Sequence, residues 1–379
     1  MTESGARADE AVATGAANRD ESCPHNGEVI RTIGERPELF EGEEFWNSNI
    51  VRFDAETYVV SHRAILTLVV VAKCNAACKF CSNEITFTPA GPYLSWGPQL
   101  RRVKSFALTA GVRKVAYTGG EPTLSPQRLL DLTRSVNPGF DKSRLHTNGI
   151  GLGKSVQTPT GQATLLDGLI SAGLSGASVS VAHFDPDLNA AIMRFGPSWN
   201  GMTDADHRNV TQRSSTHFTP RLSCVMTPEG VSTVPDMFSY MEWGRELGYR
   251  RFIFRSCSEI PEAFRKSTDY SVYNAEGHIP IDSLVAELDQ MPELEKTFVQ
   301  RKSDSKVDCY RWGDIDFDVD ESSEEPNPDR KVRRLNVMPN GVSYVCWIDP
   351  LAVLFEDERS IAAESMKREF GGLKILDQS

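Results

Sequence analysis

The segment richest in chemical possibility is Lys73-Cys74-Asn75-Ala76-Ala77-Cys78-Lys79-Phe80-Cys81. Three cysteines spaced C-x3-C-x2-C on one loop can set three thiolates around one face of an iron–sulfur cube, whose four irons each need one outer ligand. Three protein ligands leave one iron open, and an open iron can take a cofactor or substrate directly, which a closed four-cysteine site cannot. The spacing alone is also compatible with a zinc knuckle short of its fourth ligand, or with three unrelated core thiols. A second such segment is Thr118-Gly119-Gly120-Glu121-Pro122. Paired glycines let backbone approach a ligand closely and free main-chain groups for hydrogen bonding, and Glu121 adds an acceptor for a cationic group. A tight turn before a helix would read the same way.

Both segments follow runs that read as strands. Ile65 to Ala72 is a continuous, β-branched-rich apolar run, the pattern of a strand buried on both faces of a parallel sheet. Shorter runs follow at 114–118, 144–147, 176–182, 221–226 and 251–255, separated by helix-like stretches at 98–110, 126–135, 163–172 and 234–247. Strands alternating with crossovers specify an α/β array, and six units favour a partial barrel over a closed one of eight. Such arrays bind ligands at the carboxyl edge of the strands, where both segments fall. After Ser256 the rhythm breaks. Residues 280–300 read as a helix, 326–330 as a loop, and Arg334 to Trp347 as a hairpin turning at Pro339-Asn340-Gly341. The expected organisation is a disordered leader over 1–27, an N-terminal segment over 28–63, a core barrel over 64–260 and a C-terminal α+β extension over 261–379. Cys23 and His25, two lone ligands in the leader, are not taken as a site.

Cys74-x3-Cys78-x2-Cys81, with Phe80 before the last cysteine and Gly119-Gly120-Glu121-Pro122 downstream, resembles the radical S-adenosylmethionine (radical SAM) enzymes over roughly residues 60 to 260. The likeness is to the broad branch that includes the molybdenum-cofactor cyclase and sugar-, nucleoside- and peptide-modifying members. It implies a partial (β/α)6 TIM-like barrel, in agreement with the six strands. It also implies that Cys74, Cys78 and Cys81 hold a [4Fe-4S] cluster whose open iron chelates SAM. The backbone of Phe80 would lie near adenine, and Gly119, Gly120, Glu121 and Pro122 would meet the methionine amino group. Thr147 and Asn148, in His146-Thr147-Asn148-Gly149, resemble a polar segment near SAM. Ser180 is placed for a ribose or carboxylate contact, and Arg255 for bidentate binding of a carboxylate or phosphate.

Four more cysteines are open to several readings. Cys224 and Cys257, if they face the lumen, could donate a hydrogen atom to a product radical, and Cys309 and Cys346 could belong to a second, auxiliary iron–sulfur cluster. All four could equally be inert core thiols. His183, after the fourth strand, could face substrate or be structural. Asp314 to Asp320 alternates acids with Ile315, Phe317 and Val319, which reads as an edge strand with one wet face. Its calcium-loop register fails at Val319, where glycine is required.

Forty-one Lys and Arg against 52 Asp and Glu leave −11, with the bases scattered, which disfavours a nucleic-acid partner. Seven acids between Asp314 and Glu325, with no base among them, account for much of the excess. No run of eighteen apolar residues is present, so no membrane span is expected, nor a signal peptide; a cytoplasmic location follows. A reducing compartment turns clustered cysteines toward metal or catalysis rather than disulfides. The expected activity is abstraction of a hydrogen atom from a small polar metabolite (a sugar, nucleoside or aminocyclitol), leading to oxidation, elimination, epimerisation or rearrangement. A peptide-modifying enzyme is the second reading, and an iron–sulfur electron-transfer or sensor protein the third. The electron donor would be a flavodoxin or ferredoxin, docked on a basic patch such as Arg101, Arg102 and Lys104. Oligomeric state is not legible.

Overall fold

The structure is a computed structural model that describes residues 27–33, 48–86, 97–301, 306–321 and 331–370. The expected leader up to residue 26, with Cys23 and His25, and the loop at 326–330 lie outside these residues. β1 (Gly27–Ile33), β2 (Ser48–Phe53) and β3 (Glu56–Ser61) form a separate antiparallel sheet. The chain then runs through β4 (Ile65–Val71), α1 (Ser82–Ile85), α2 (Gly97–Thr109), β5 (Lys114–Gly119), α3 (Pro126–Val136) and β6 (Lys142–Thr147). A hairpin, β7 (Ser155–Thr158) and β8 (Gly161–Thr164), precedes α4 (Leu165–Ser171), β9 (Gly176–Ser180), α5 (Pro186–Met193), α6 (Asp204–Thr211), β10 (Thr219–Val225), α7 (Val234–Glu246) and β11 (Arg251–Arg255). Beyond these come α8 (Asp269–Glu276), α9 (Ile281–Leu288), β12 (Glu295–Arg301), β13 (Lys306–Trp312), β14 (Ile315–Asp320), β15 (Leu335–Val337), β16 (Ser343–Tyr344) and α10 (Arg359–Phe370).

One eleven-stranded sheet carries the fold, in the order β12-β13-β14-β11-β10-β9-β6-β5-β4-β15-β16. Every pairing from β14 to β15 is parallel, making a mixed α/β fold with a large parallel sheet. The six strands read from the sequence lie side by side in chain order. The parallel run is longer than six because β14 and β15, both beyond residue 260, join its two ends. β14 is therefore not the edge strand its alternating acids suggest, since it is paired to β11 on one side and β13 on the other. The stretch 280–300 is not one helix either. Pro292 cannot continue a helix and restricts Met291 before it, so α9 stops at Leu288 and Glu295–Arg301 pairs as a strand. The hairpin around Pro339-Asn340-Gly341 forms as β15 and β16.

Alternation along the strands divides the sheet into two faces. Leu66, Leu68, Tyr117 and Leu145 pack with Phe106 and Leu130 on the helix side, and Leu222, Phe254 and Phe317 pack there with Met237 and Tyr240. Residues of the other parity, including Thr67, Thr118, Arg144, Ser178, Arg221 and Asp318, share the opposite, inner face.

A buried carboxyl braces the C-terminal part: Glu358, 5 % exposed, accepts from the Ser343 amide at 2.7 Å. Burial, outweighing that hydrogen bond, pushes its pKa up to about 7 from 4.5. An acid harder to ionise when folded supports the fold fully below the unfolded pKa and loses that support as pH rises through the folded one. Glu358→Gln, which keeps an acceptor for Ser343, should stabilise the protein by roughly 2 kcal/mol at about pH 8 and change little near pH 5, as read by urea unfolding at the two pH values. Equal effects at both would show that the carboxyl ionises normally.

Candidate functional site

The cysteine loop leaves the carboxyl end of β4 and is pinned on two sides. On one, the Gly120 amide donates to Val71 O at 2.7 Å and the Glu121 amide to Lys73 O at 2.8 Å. The Asn83 side chain donates to Gly119 O at 2.9 Å, and that of Asn148 to Asn75 Oδ1 at 2.7 Å. On the other side, the Ala77 and Lys79 amides donate to Arg194 O and Ile192 O at 3.0 and 3.1 Å, and Gly196 N donates to Asn75 O at 2.9 Å. The two glycines are a consequence of this crowding. A Cβ on Gly119 would stand 2.2 Å from Val71 O, and one on Gly120 would stand 2.2 Å from Lys73 O.

Within the loop, Cys74 is exposed and its sulfur accepts from the Ala76 amide at 3.4 Å. Cys78 lies 3.6 Å from the Met193 sulfur, and Phe80 packs with it against Ile192 and Met193. Burial raises the pKa of all three thiols, that of Cys81 to about 11, and neighbouring sulfurs add to the effect at Cys78 and Cys81. Three thiols that resist ionising on their own suit a cationic inorganic core, since coordination deprotonates a thiol outright and soft thiolates favour iron–sulfur clusters. The donor set therefore fits a [4Fe-4S] cluster with one open iron. Among the described residues, no three His, Cys, Asp or Glu side chains converge on a single ion. A cavity of about 350 Å³ adjoins the loop, lined by Cys74, Asn75, Ala77, Arg194 and Trp199 among others.

Glu121 does not present the free acceptor expected of it. Its carboxylate is 1 % exposed and accepts from Thr123 N and Oγ1, from Thr147 Oγ1 at 2.6 Å and from Asn148 N at 2.7 Å. Burial raises its pKa against the pull of these bonds. Glu121, Thr147 and Asn148 thus form one bracket joining the ends of β5 and β6 to the cysteine loop, with Pro122 opening the short 3-10 turn that follows.

Ser180 and Arg255 end β9 and β11 on the inner face, and Arg255 Nε stands 3.5 Å from Asp320. Cys224 does not face that lumen. Having the other parity, it is fully buried in the helix-side core and its thiol donates to Ala182 O at 3.4 Å. Cys257 is buried beside it, donating to Met226 O at 3.6 Å. Cys309 on β13 bonds Asp318, whereas Cys346 is buried with Ile260 and Ile348, so the two sit at opposite ends of the sheet and do not meet. His183 stacks on Phe184 at 4.2 Å and accepts from the Asp185 amide at 2.9 Å, a structural role at the start of α5. Arg102 is engaged by Asp54 and Asp357 and lies over Phe355, and Lys104 donates to Ser135 O, so neither is a free docking charge. The acids of β14 and the one before it are not uncompensated: Asp314, Asp316, Asp318 and Asp320 face Arg250, Arg311, Arg221 and Arg255.

Sequence reasoning missed Asn75 and Asn83, which look like filler around the cysteines, and the inner-face set of Arg144, Arg221 and Asp318. The latter had a signal, charged residues recurring at every second position within otherwise apolar strands.

Residues 68–205 match the family model described as the Radical SAM superfamily. The chain is 32% identical over 134 residues to GTP 3',8-cyclase of Chlorobaculum tepidum, covering 34% of this chain and 35% of that protein. It is 32% identical over 174 residues to a probable GTP 3',8-cyclase of Methanopyrus kandleri, covering 44% and 49% respectively. The chain thus spans half or less of the length of these curated relatives. Among solved structures, Streptococcus suis SuiB bound to precursor peptide SuiA shares 13% identity over 76% of this chain and 60% of its own, with a TM-score of 0.43. The matched span begins within β4 and takes in the cysteine loop and the bracket that holds it, so residues 68–205 carry a radical SAM domain, a type of domain that uses a [4Fe-4S] cluster and S-adenosylmethionine.

Proposed function

We propose that this protein is a radical SAM enzyme acting on a small polar metabolite, with the core over 64–260 as a partial (β/α)6 barrel around the reaction space. The observation that supports this most is the cysteine loop, locked at the carboxyl edge of the parallel sheet to the Gly119-Gly120-Glu121 turn. Cys74, Cys78 and Cys81 would hold a [4Fe-4S] cluster that, together with SAM, would supply reductive one-electron chemistry for abstracting a hydrogen atom from substrate. The chain's own residues bind, orient and exclude water. The Glu121 bracket fixes the turn whose main chain would receive the amino acid part of SAM. Phe80 and the Ile192–Met193 contact cover the Cys78 side of the loop, while Ser180 and the inner-face arginines offer polar groups to ribose and substrate. Two relatives named as GTP 3',8-cyclases favour a nucleoside-type compound among small polar metabolites. Reductant would come from a flavodoxin or ferredoxin.

Reconstituted protein given SAM and dithionite should form 5'-deoxyadenosine. An iron–sulfur electron carrier or sensor would form none, and that result would end the enzyme reading.

A further inference from the structure

Three arginines of the inner face stand near one another, Arg144 on β6, Arg221 on β10 and Arg255 on β11, with β9 between β6 and β10. Two carboxylates of β14 answer them, and only loosely: Asp318 is 3.7 Å from Arg221 and Asp320 is 3.5 Å from Arg255. The Arg221 Nε donates to Ser178 at 3.0 Å. Arg144 Nη1 and Arg255 Nε are buried atoms without a hydrogen-bond partner. A guanidinium serving only the fold normally spends its fork on a carboxylate or carbonyls at hydrogen-bond distance. The side chains nevertheless remain reachable, at 16 % exposure for Arg221 and 29 % for Arg255. Further along the face, Asp316 is shared by Arg251 and Arg311, so the excess of positive charge continues there. The titration behaviour agrees. Burial first, and then the neighbouring arginines, lower the pKa of Arg221 to about 9 and push that of His146 well below its ordinary value. Burial followed by Arg251 and Arg255 lowers that of Arg144.

We propose that Arg144, Arg221 and Arg255 form an anion-binding floor of the substrate site, so that the metabolite carries a carboxylate or phosphate. This rests on the proposed enzyme function only in calling the anion a substrate; the binding itself needs neither SAM nor reductant. Asp318 and Asp320 hold the arginines apart and limit the site to a compact anion.

The test is calorimetric titration of the full-length protein, without SAM or reductant and at fixed low ionic strength, with pyrophosphate and separately with tricarballylate. Single-site binding of either is expected, pyrophosphate pointing to a phosphate ester and tricarballylate to a carboxylate. Arg255→Gln should weaken it roughly 10- to 100-fold, as loss of a charge-assisted pair does. Asp318→Asn should tighten it several-fold, which a purely structural arginine cluster would not do, and this variant carries the test if Arg255→Gln does not fold. Exposed Arg101→Gln should bind as the wild type does. Binding of neither probe, or binding unchanged in both Arg255→Gln and Asp318→Asn, would overturn the proposal. Those outcomes leave the 5'-deoxyadenosine assay untouched, and a negative assay leaves anion binding standing.

Discussion

Cys78→Ala is expected to leave a folded protein that no longer retains a full [4Fe-4S] cluster and forms no measurable 5'-deoxyadenosine. The loss should be roughly 100-fold or more, since even an outer-shell change at a metal site costs about 10–100-fold. Cys78 is held against Met193 and Phe80, and removing its sulfur leaves only Cys74, which is exposed, and Cys81. The measurement is iron and sulfide content with the visible spectrum after anaerobic reconstitution, followed by the SAM cleavage assay. Cys224→Ala provides the contrast. That thiol is in the helix-side core, so its loss should cost roughly 1–2 kcal/mol of stability through a small cavity while cluster content and cleavage persist. A Cys78→Ala protein with wild-type iron and turnover would remove the ligand assignment.

Gly120→Ala should be nearly as damaging by a different route. The added methyl would meet Lys73 O at 2.2 Å, Lys73 C at 2.4 Å and Ala72 O at 2.5 Å, all backbone. Clearing these contacts requires the cysteine loop to move by about 1 Å, which breaks the Gly120–Val71 and Glu121–Lys73 hydrogen bonds. We expect a destabilisation of roughly 3–5 kcal/mol together with impaired cluster binding. Gly153→Ala is the matched control, because nothing lies within 4 Å of its added Cβ. It should be neutral or slightly stabilising, by up to about 1 kcal/mol. Denaturant midpoints and iron content of the two variants decide the matter: equal behaviour would mean that the Gly-Gly pair is a mere turn.

Legibility followed the range of the interactions. The parallel strands could be read because burial on both faces writes long apolar runs such as Ile65–Val71, and the cysteine loop could be read because three cysteines lie within eight residues. Glu121 was misjudged because its partners, Thr147 and Asn148, come from a strand end 26 and 27 residues away. β14 was misjudged for a related reason. Its alternating acids look wet in isolation, and only its insertion beside β11 shows that arginines from other strands answer them. Cys224 and Ser223 are adjacent in sequence yet on opposite faces, so the role of that thiol depended on strand parity, which cannot be fixed without knowing which face the helices cover.

The placement of β14 also bears on how far the chain is divisible. A protein ending near residue 260 would not be a smaller catalyst awaiting an accessory. It would expose the hydrogen-bonding edge of β11 to self-association and strip two counter-charges from a crowd of guanidiniums. The C-terminal third therefore completes the wall and sets the electrical balance of the interior. Changes selected there would retune what the interior admits without altering any residue at the iron–sulfur loop.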